Sequence, residues 1–586
     1  MRAWILLAVS VLAFGDTRFE FTSEDIAGRL ESIERLAVCE LSGDGKPDIL
    51  IVSPGHVVWL ENPHWTRRPI SSGGGWLLRM PAATPAIGRV NRIRRIALIR
   101  APEGGVEVLR QPTSDPDPQA GTLLEPKVVS DAAWVREATV PGEEGELLWD
   151  DFDGNGSDEL VLAGRFLRLL SADPEQRWRE VELAAGPFSH VAAGDFDGDG
   201  LPDLVTSRSS GEVTIHRNRS RLDWKRHVIA AGYPVQTVIG ADFTRDGRPD
   251  VIATDSRGGP TILYVSPNWK PVVLQTETTA IHSEVMDVDR DGDPDYIGAR
   301  YSPGFVFWLE TPPDPLRGPW PLHVIDDADR GGVDGVHGLI TGDVDGDGTP
   351  DLIGNSGLPA GRFPNSLAWF RIPSDPRAPW GRHVFASGDA PGLSHYHGFG
   401  DVNGDGRGDI ASAAKIGEDG NWFAWWEQPE GRSVPWRKHL ISADQPGATN
   451  ILIADVNGDG RNDFVAARGH GIGLAWFENP SWREHPIDTR LFGPHALALG
   501  DIDRDGDVDA ATCAKDSGIA AWFENDGQGR FTTHHIHEDQ ASYDIRLLDM
   551  DGDGDLDVLN AGQASQNVVW FENRLASRKP TPPAGN

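Results

Sequence analysis

The stretch LLDMDGDGDLDVLNAG, residues 547–562, sets Asp549, Asp551, Asp553, Asp555 and Asp557 at alternate positions between two apolar segments. Two carboxylates 4 Å apart repel by about 1 kcal/mol in water and about 4 kcal/mol near a protein surface. A chain that folds with so many together needs a cation to neutralise them. Oxygen donors fall at the first, third, fifth and ninth positions, with a backbone carbonyl at the seventh and glycine where the chain must turn sharply. That set suits a hard ion taking about 6 to 8 oxygens, and several structural Ca²⁺ ions are the expected cofactors. The absence of His and Cys inside the loop disfavours zinc. An EF-hand is excluded, because Asn560 stands where its closing glutamate belongs and the strand residues Val558 and Leu559 follow.

Working outward, related loops begin at residues 40, 151, 195, 242, 287, 343, 401, 455, 501 and 549, and from 151 onward they are spaced by 44 to 58 residues. In an eleventh unit, GRVNRIRRIALI, Arg89, Arg92, Arg94 and Arg95 replace the acids, so that copy is expected to lack a metal. The expected ligands are Asp151, Asp153, Asn155 and Glu159 in one loop, then Asp195, Asp197, Asp199 and Asp203 in the next. The following loops offer Asp242, Asp246 and Asp250; Asp287, Asp289, Asp291 and Asp295; and Asp343, Asp345, Asp347 and Asp351. The last four offer Asp401, Asn403, Asp405 and Asp409; Asp455, Asn457, Asp459 and Asp463; Asp501, Asp503, Asp505 and Asp509; and Asp549, Asp551, Asp553 and Asp557. The loops at 242, 401 and 455, with Thr or Asn at the third position, are expected to bind more weakly than the five-acid loops at 287, 501 and 549.

About 20 residues after each loop comes an aromatic strand such as LAWFEN (474–479) or VVWFEN (568–573), and then a Trp-x-x-His strand such as WKRHVI (224–229) or WREHPI (482–487). Four short strands per repeat is the pattern of a β-propeller blade. The predicted fold is therefore all-β, a β-propeller of about 11 four-stranded blades in one large ring or two rings. The last repeat lacks its Trp strand, and FTSEDI (21–26) has the spacing to replace it, so the N-terminal strand is expected to close the array on the last blade.

The ten acidic loops resemble those of the FG-GAP and VCBS repeat family, whose calcium-loaded blades include those of integrin α-subunits. The likeness covers nearly the whole chain after the N-terminal segment, and it implies a propeller with structural Ca²⁺ in its blades. Phe399 and Gly400 are the nearest approach to the Phe-Gly signature, so integrin-type ligand recognition is not implied.

The ten loops hold 39 acids and 7 bases, which locates nearly all of the net charge of −35 in them. The remaining surface is close to neutral, and no nucleic-acid partner is expected. The start, MRAWILLAVSVLAFG, reads as a signal peptide over 1–15, with repeats over 16–577 and a disordered tail at 578–586. A secreted or periplasmic, non-membrane-spanning monomer is expected. Cys39 and Cys513 fall at different strand positions of separate repeats and read as two free thiols.

A second polar set precedes the loops by five or six residues, at the start of the innermost strands: His190, His282, His337, His395, Asn450, His495 and Asp544. In a propeller these can converge on the central channel. There, imidazoles such as His337, His395 and His495 are catalytic candidates, able to bind a transition metal or to act as general acid and base. The alternative is that they bond neighbouring blades, as the Trp-x-x-His histidines are expected to. Tyr396, His397, Trp422 and Asn450, in or beside the long blades, are ligand-binding candidates. Two functions remain open: a secreted binding or adhesion module for an extracellular carbohydrate or protein, and a carbohydrate-active lyase or dehydratase-like enzyme. The second draws on a resemblance of the HG…GDVDGDG…WxxH blades to aldos-2-ulose dehydratase-type propellers.

Overall fold

The protein, as a computed structural model, is described over residues 21–26, 33, 35–39, 47–53, 56–62, 64–72, 86–90, 93–99, 106–110, 135–140, 146–154, 158–172, 178–196 and 201–218. It is further described over 224–574, except for 256, 277, 302–303, 328–335, 357–362, 393, 416–420 and 432–434. Strands and turns account for these residues, and no helix occurs among them. The fold is all-β, as the sequence predicts. Among the described residues, eleven four-stranded antiparallel sheets form, one for each repeat.

The strand sequences explain their places in a blade. Second strands such as Asp409–Ala414 (DIASAA) and Asp509–Ala514 (DAATCA) are buried at every residue. Their small side chains let adjacent sheets pack face to face. Outer strands such as Trp224–Ala231 mix buried, half-buried and exposed residues, as an edge with one wet face requires. Each acidic loop joins an inner strand to its second strand, as between Pro494–Gly500 and Asp509–Ala514.

The chain divides into two compact units, with the boundary at Leu222/Asp223. The first holds four blades over residues 21–218. The second holds seven, whose inner strands are Val235–Ala241, His282–Met286, Leu339–Gly342, Ser394–Gly400, Asn450–Ala454, Pro494–Gly500 and Asp544–Leu548. These are numbered blades 1 to 7. Each inner strand packs against the next, and that of blade 7 packs against that of blade 1. Every one of these interfaces has its own buried apolar cluster. The 7/1 seam contains Val235, Val238, Val251, Leu559, Val568 and Trp570, and the other six are filled in the same way. Blades 1 to 7 therefore form a closed ring.

Strand pairing corrects the expected closure. The N-terminal strand Phe21–Asp25 does complete a blade, but its partner is Val213–Asn218 in the first unit, with Phe21 opposite Asn218. Blade 7 is completed by Trp224–Ala231, with Trp224 opposite Asn573 and His227 opposite Trp570. Both strands stand at a similar distance before an acidic loop, so sequence spacing identifies each as an outer strand without naming its partner. Two closures replace the single one expected, one in each unit. The segments 1–15 and 578–586, and the side chains of Arg89, Arg92, Arg94 and Arg95, lie outside the described residues.

Candidate functional site

The acidic loops share one turn. In each loop of the seven-bladed unit, the first Asp accepts the amide N–H of the glycine five residues on, as Asp287 does from Gly292 at 3.1 Å and Asp501 from Gly506 at 3.1 Å. The turn gathers carboxylates on one side. One oxygen from each of Asp287, Asp289 and Asp291 lies within 4.8 Å of the others, and the same holds for Asp343, Asp345 and Asp347, for Asp501, Asp503 and Asp509, and for Asp151, Asp153 and Glu159. Asp289 Oδ1 and Asp555 Oδ1 are enclosed without a hydrogen-bond partner. An all-oxygen set with enclosed, unpartnered carboxylate atoms fits a hard cation.

The ninth-position acids are buried clamps. Asp509 accepts the amides of Ile502 at 2.9 Å and Asn525 at 2.8 Å, so it ties the loop to the end of the third strand. Asp203, Asp250, Asp295, Asp409, Asp463 and Asp557 do the same in their blades. Burial, reinforced by the neighbouring acids, pushes Asp295, Asp351, Asp509 and Asp557 up to about 7, and Asp409 and Asp463 up to about 6. Asn155, Asp197, Asp199 and the loop over 40–46 lie outside the described residues.

At the opposite end of the inner strands, six residues and so about 20 Å from the loops, the ring centre is crowded with polar rings. His337 (before blade 3), His395 (blade 4) and His495 (blade 6) come together. The His337 and His395 ring centroids are 3.9 Å apart, and each lies 6.2 Å from that of His495. Local sequence permits the approach: a Cβ on Gly338 would sit 2.1 Å from the His395 carbonyl oxygen, so only glycine lets the two strands meet there. Tyr396 Oη lies 3.4 Å from His495 Nδ1, and Tyr543 Oη lies 3.2 Å from His337 Nε2. His470, from the turn after the second strand of blade 5, adds a third ring nitrogen within 4.8 Å of those of His395 and His495. Lys415 Nζ is 2.8 Å from His470 Nε2.

Burial disfavours charge on these rings. It holds His282, His395 and His495 well below the ordinary imidazole value, and it lowers His337 to about 3 and His470 to about 2, with Lys415 adding to the effect. Lys415 is itself lowered to about 8, by burial first and by Lys515 second. The site is thus a set of neutral imidazoles and phenols with an ammonium at its edge. A buried arginine closes its other side. Arg546 donates to Val238 O at 3.2 Å and Ser283 O at 2.7 Å, and lies 3.1 Å from His282 Nε2, bridging blades 7, 1 and 2.

Comparison with known proteins falls on the blades themselves. The FG-GAP-like repeat model matches residues 195–253, 401–466, 455–512 and 501–560, in each case starting on the first Asp of a loop. These stretches are similar to FG-GAP-like repeats. No curated protein sequence matches the chain. Among solved structures, a crystal structure of BBS1N in complex with ARL6DN, soaked with lead, aligns over 62% of this chain and 99% of its own at 12% identity, with a TM-score of 0.42.

Around the ring, the other candidates expected from the sequence separate. Tyr396 belongs to the central cluster. His397 is buried with neither ring nitrogen partnered, and Asn450 is buried with Oδ1 unpartnered. Trp422 is in a blade core, 4% exposed beneath Lys438, and its indole N–H donates to Pro391 O, so it is part of the packing rather than of a loop surface. Asp544 accepts Thr237 Oγ1 and the Val238 amide across the 7/1 seam. His190 serves the first unit, where it pairs with Glu146 at 2.8 Å. The Trp-x-x-His histidines bond within their own blade, not to neighbours as expected. His227 meets Glu572, His323 meets Glu310, His439 meets Glu427 and His485 meets Glu478, at 2.7 to 3.0 Å. The glutamate comes from the aromatic strand alongside, and the imidazole stacks on that strand's Trp, as His227 does on Trp570 at 4.2 Å. Cys513 is a buried free thiol as expected, and the side chain of Cys39 lies outside the described residues.

Sequence reading missed His470, Tyr543, Lys415, Lys515 and Arg546. A signal was present for four of them: Tyr543 stands six residues before its loop, in register with His337, His395 and His495, and a basic or imidazole residue recurs 14 or 15 residues after the loop's first Asp, at Lys415, His470 and Lys515. It was masked by the much stronger acidic repeat.

Proposed function

We propose that this protein is an exported, calcium-pinned binding propeller whose seven-bladed unit takes its ligand at the ring centre, with an extracellular carbohydrate as the favoured ligand. The observation that carries this reading is the convergence of His337, His395, His495, Tyr396 and Tyr543 from four blades at one end of the inner strands. Hydroxyl-rich ligands are recognised by close-set neutral donors and acceptors backed by aromatic faces, and the cluster supplies both. The acidic loops supply the Ca²⁺ sites that hold the blade turns, as FG-GAP-like repeats often do. Their work is structural. The test is calorimetric titration of the calcium-loaded protein with neutral and uronate-containing oligosaccharides. Binding should be lost in Tyr543→Ala and His337→Ala variants that retain their melting temperature. Binding unaffected by both changes would overturn the reading.

A second reading, a lyase or dehydratase-like enzyme, is favoured by one observation: Lys415, lowered to about 8, stands 2.8 Å from the neutral His470. A lysine brought down to about 8 can give up or take a proton close to neutral pH, while the neutral His470 accepts its hydrogen bond. Appearance of an unsaturated sugar in ultraviolet absorbance, lost in Lys415→Met, would select the enzyme over the binder.

A further inference from the structure

We propose that His395, His470 and His495 form a binding site for a single first-row transition ion, zinc or ferrous iron, at the centre of the seven-bladed ring. The three residues come from separate places in the fold: the inner strand of blade 4, the turn after the second strand of blade 5, and the inner strand of blade 6. One ring nitrogen of each lies within 4.8 Å of the others. A tetrahedral ion about 2.1 Å from each nitrogen needs them about 3.4 Å apart, a change that small ring rotations supply.

The hydrogen bonding of His495 points the same way. Its Nδ1 lies 3.0 Å from the carbonyl oxygen of Tyr543. A carbonyl only accepts, so Nδ1 carries the proton and Nε2 presents a lone pair. That Nε2 is enclosed and has no hydrogen-bond partner. A ring N–H donated to a backbone carbonyl, with the opposite nitrogen free, is the arrangement that orients a metal-ligating imidazole. An enclosed nitrogen left unmet is costly, and a ligated ion would relieve that cost.

All three donors are nitrogen, which selects borderline transition ions and rejects Ca²⁺. The two metal classes are thereby kept apart, oxygen loops for the hard ion and imidazoles for the softer one. Three protein ligands leave a fourth position open to water or a substrate oxygen. Lys415 Nζ lies 2.8 Å from His470 Nε2, so a bound ion takes the place of the ammonium at that nitrogen or uses Nδ1. The site needs no sugar, so its failure would leave the proposed carbohydrate reading standing.

The test is a Co²⁺ titration of the whole chain, held in calcium after treatment with a nitrogen-donor chelator that spares Ca²⁺. Four-coordinate cobalt gives an intense visible spectrum, whereas octahedral oxygen coordination in the acidic loops gives a weak one. The intense spectrum is expected to saturate at one ion per chain, and zinc should displace it. Affinity should fall by at least about 100-fold in His470→Ala and His495→Ala, and stay unchanged in His485→Gln, a histidine of the blade rim. His470 is in a half-exposed turn, so if the His495 variant fails to fold, the His470 variant decides. A weak octahedral spectrum alone, or an intense one that survives both changes, would overturn the proposal.

Discussion

Single side chains fasten this fold in ways that only their partners reveal. The Asn that ends each FEN segment is an example. Asn525 Nδ2 donates to Val508 O in its own blade at 3.1 Å and to Val456 O in the preceding blade at 2.8 Å. Asn479 and Asn573 repeat this bridge around the ring, and Asn62 and Asn218 do so in the first unit. Asn525→Ala leaves the buried Val456 carbonyl and the partly buried Val508 carbonyl without that donor, so it is expected to destabilise by about 1 to 3 kcal/mol, read from the shift in denaturant midpoint. His537 makes a pH-dependent contribution. Burial, and secondarily Arg226, lowers it to about 3, against about 6.5 in the unfolded chain. The folded ring stays neutral while the unfolded one takes a proton below about 6.5, so this contribution is complete above that pH and is lost as pH falls toward 3. His537→Gln should flatten that acid limb in melting temperatures measured across the range.

At the scale of the element, the acidic loop couples a backbone conformation to a charge cluster. Gly506 has φ 101° and open space around it, so Gly506→Ala tests the conformation alone. It is expected to cost at least about 1 kcal/mol and to weaken that loop's ion, both measurable by melting with and without calcium. This element was the most legible part of the sequence, because a local motif repeated ten times carries its own chemistry. The ring centre was legible in part. His337, His395 and His495 share a register position before their loops, so the fold alone brings them together. His470 comes from a turn and Arg546 occurs at its position in one blade only, so no periodicity marks them, whereas Tyr543 shares the register of the three histidines, six residues before Asp549, and differs from them in residue type. The outer strands show the other limit. Spacing identifies an edge strand, but its partner depends on a long-range pairing between residues 224–231 and 567–573.

For the whole molecule, the corrected closure has a consequence for folding. Blade 7 takes its outer strand from Trp224–Ala231, so a fragment over 219–577 carries everything the seven-bladed ring needs. It should fold alone, with a single cooperative transition in calcium. A fragment starting at 233 lacks the strand that covers Asn567–Asn573 and should aggregate or melt markedly lower, because it exposes a long apolar edge. Removing calcium with an oxygen-donor chelator should lower the melting temperature of the intact ring, since the clustered acids are then left unneutralised.

The central claim is a division of labour between metals: hard ions in the loops hold the blades, and the imidazoles of the ring centre take a softer ion. Anomalous diffraction tests it most directly, on crystals grown in calcium, soaked briefly in zinc and measured on both sides of the zinc edge. The account predicts edge-independent peaks within the loops at 287, 501 and 549, and one zinc peak among His395, His470 and His495. Loops without calcium, or zinc found only among the carboxylates, would contradict it.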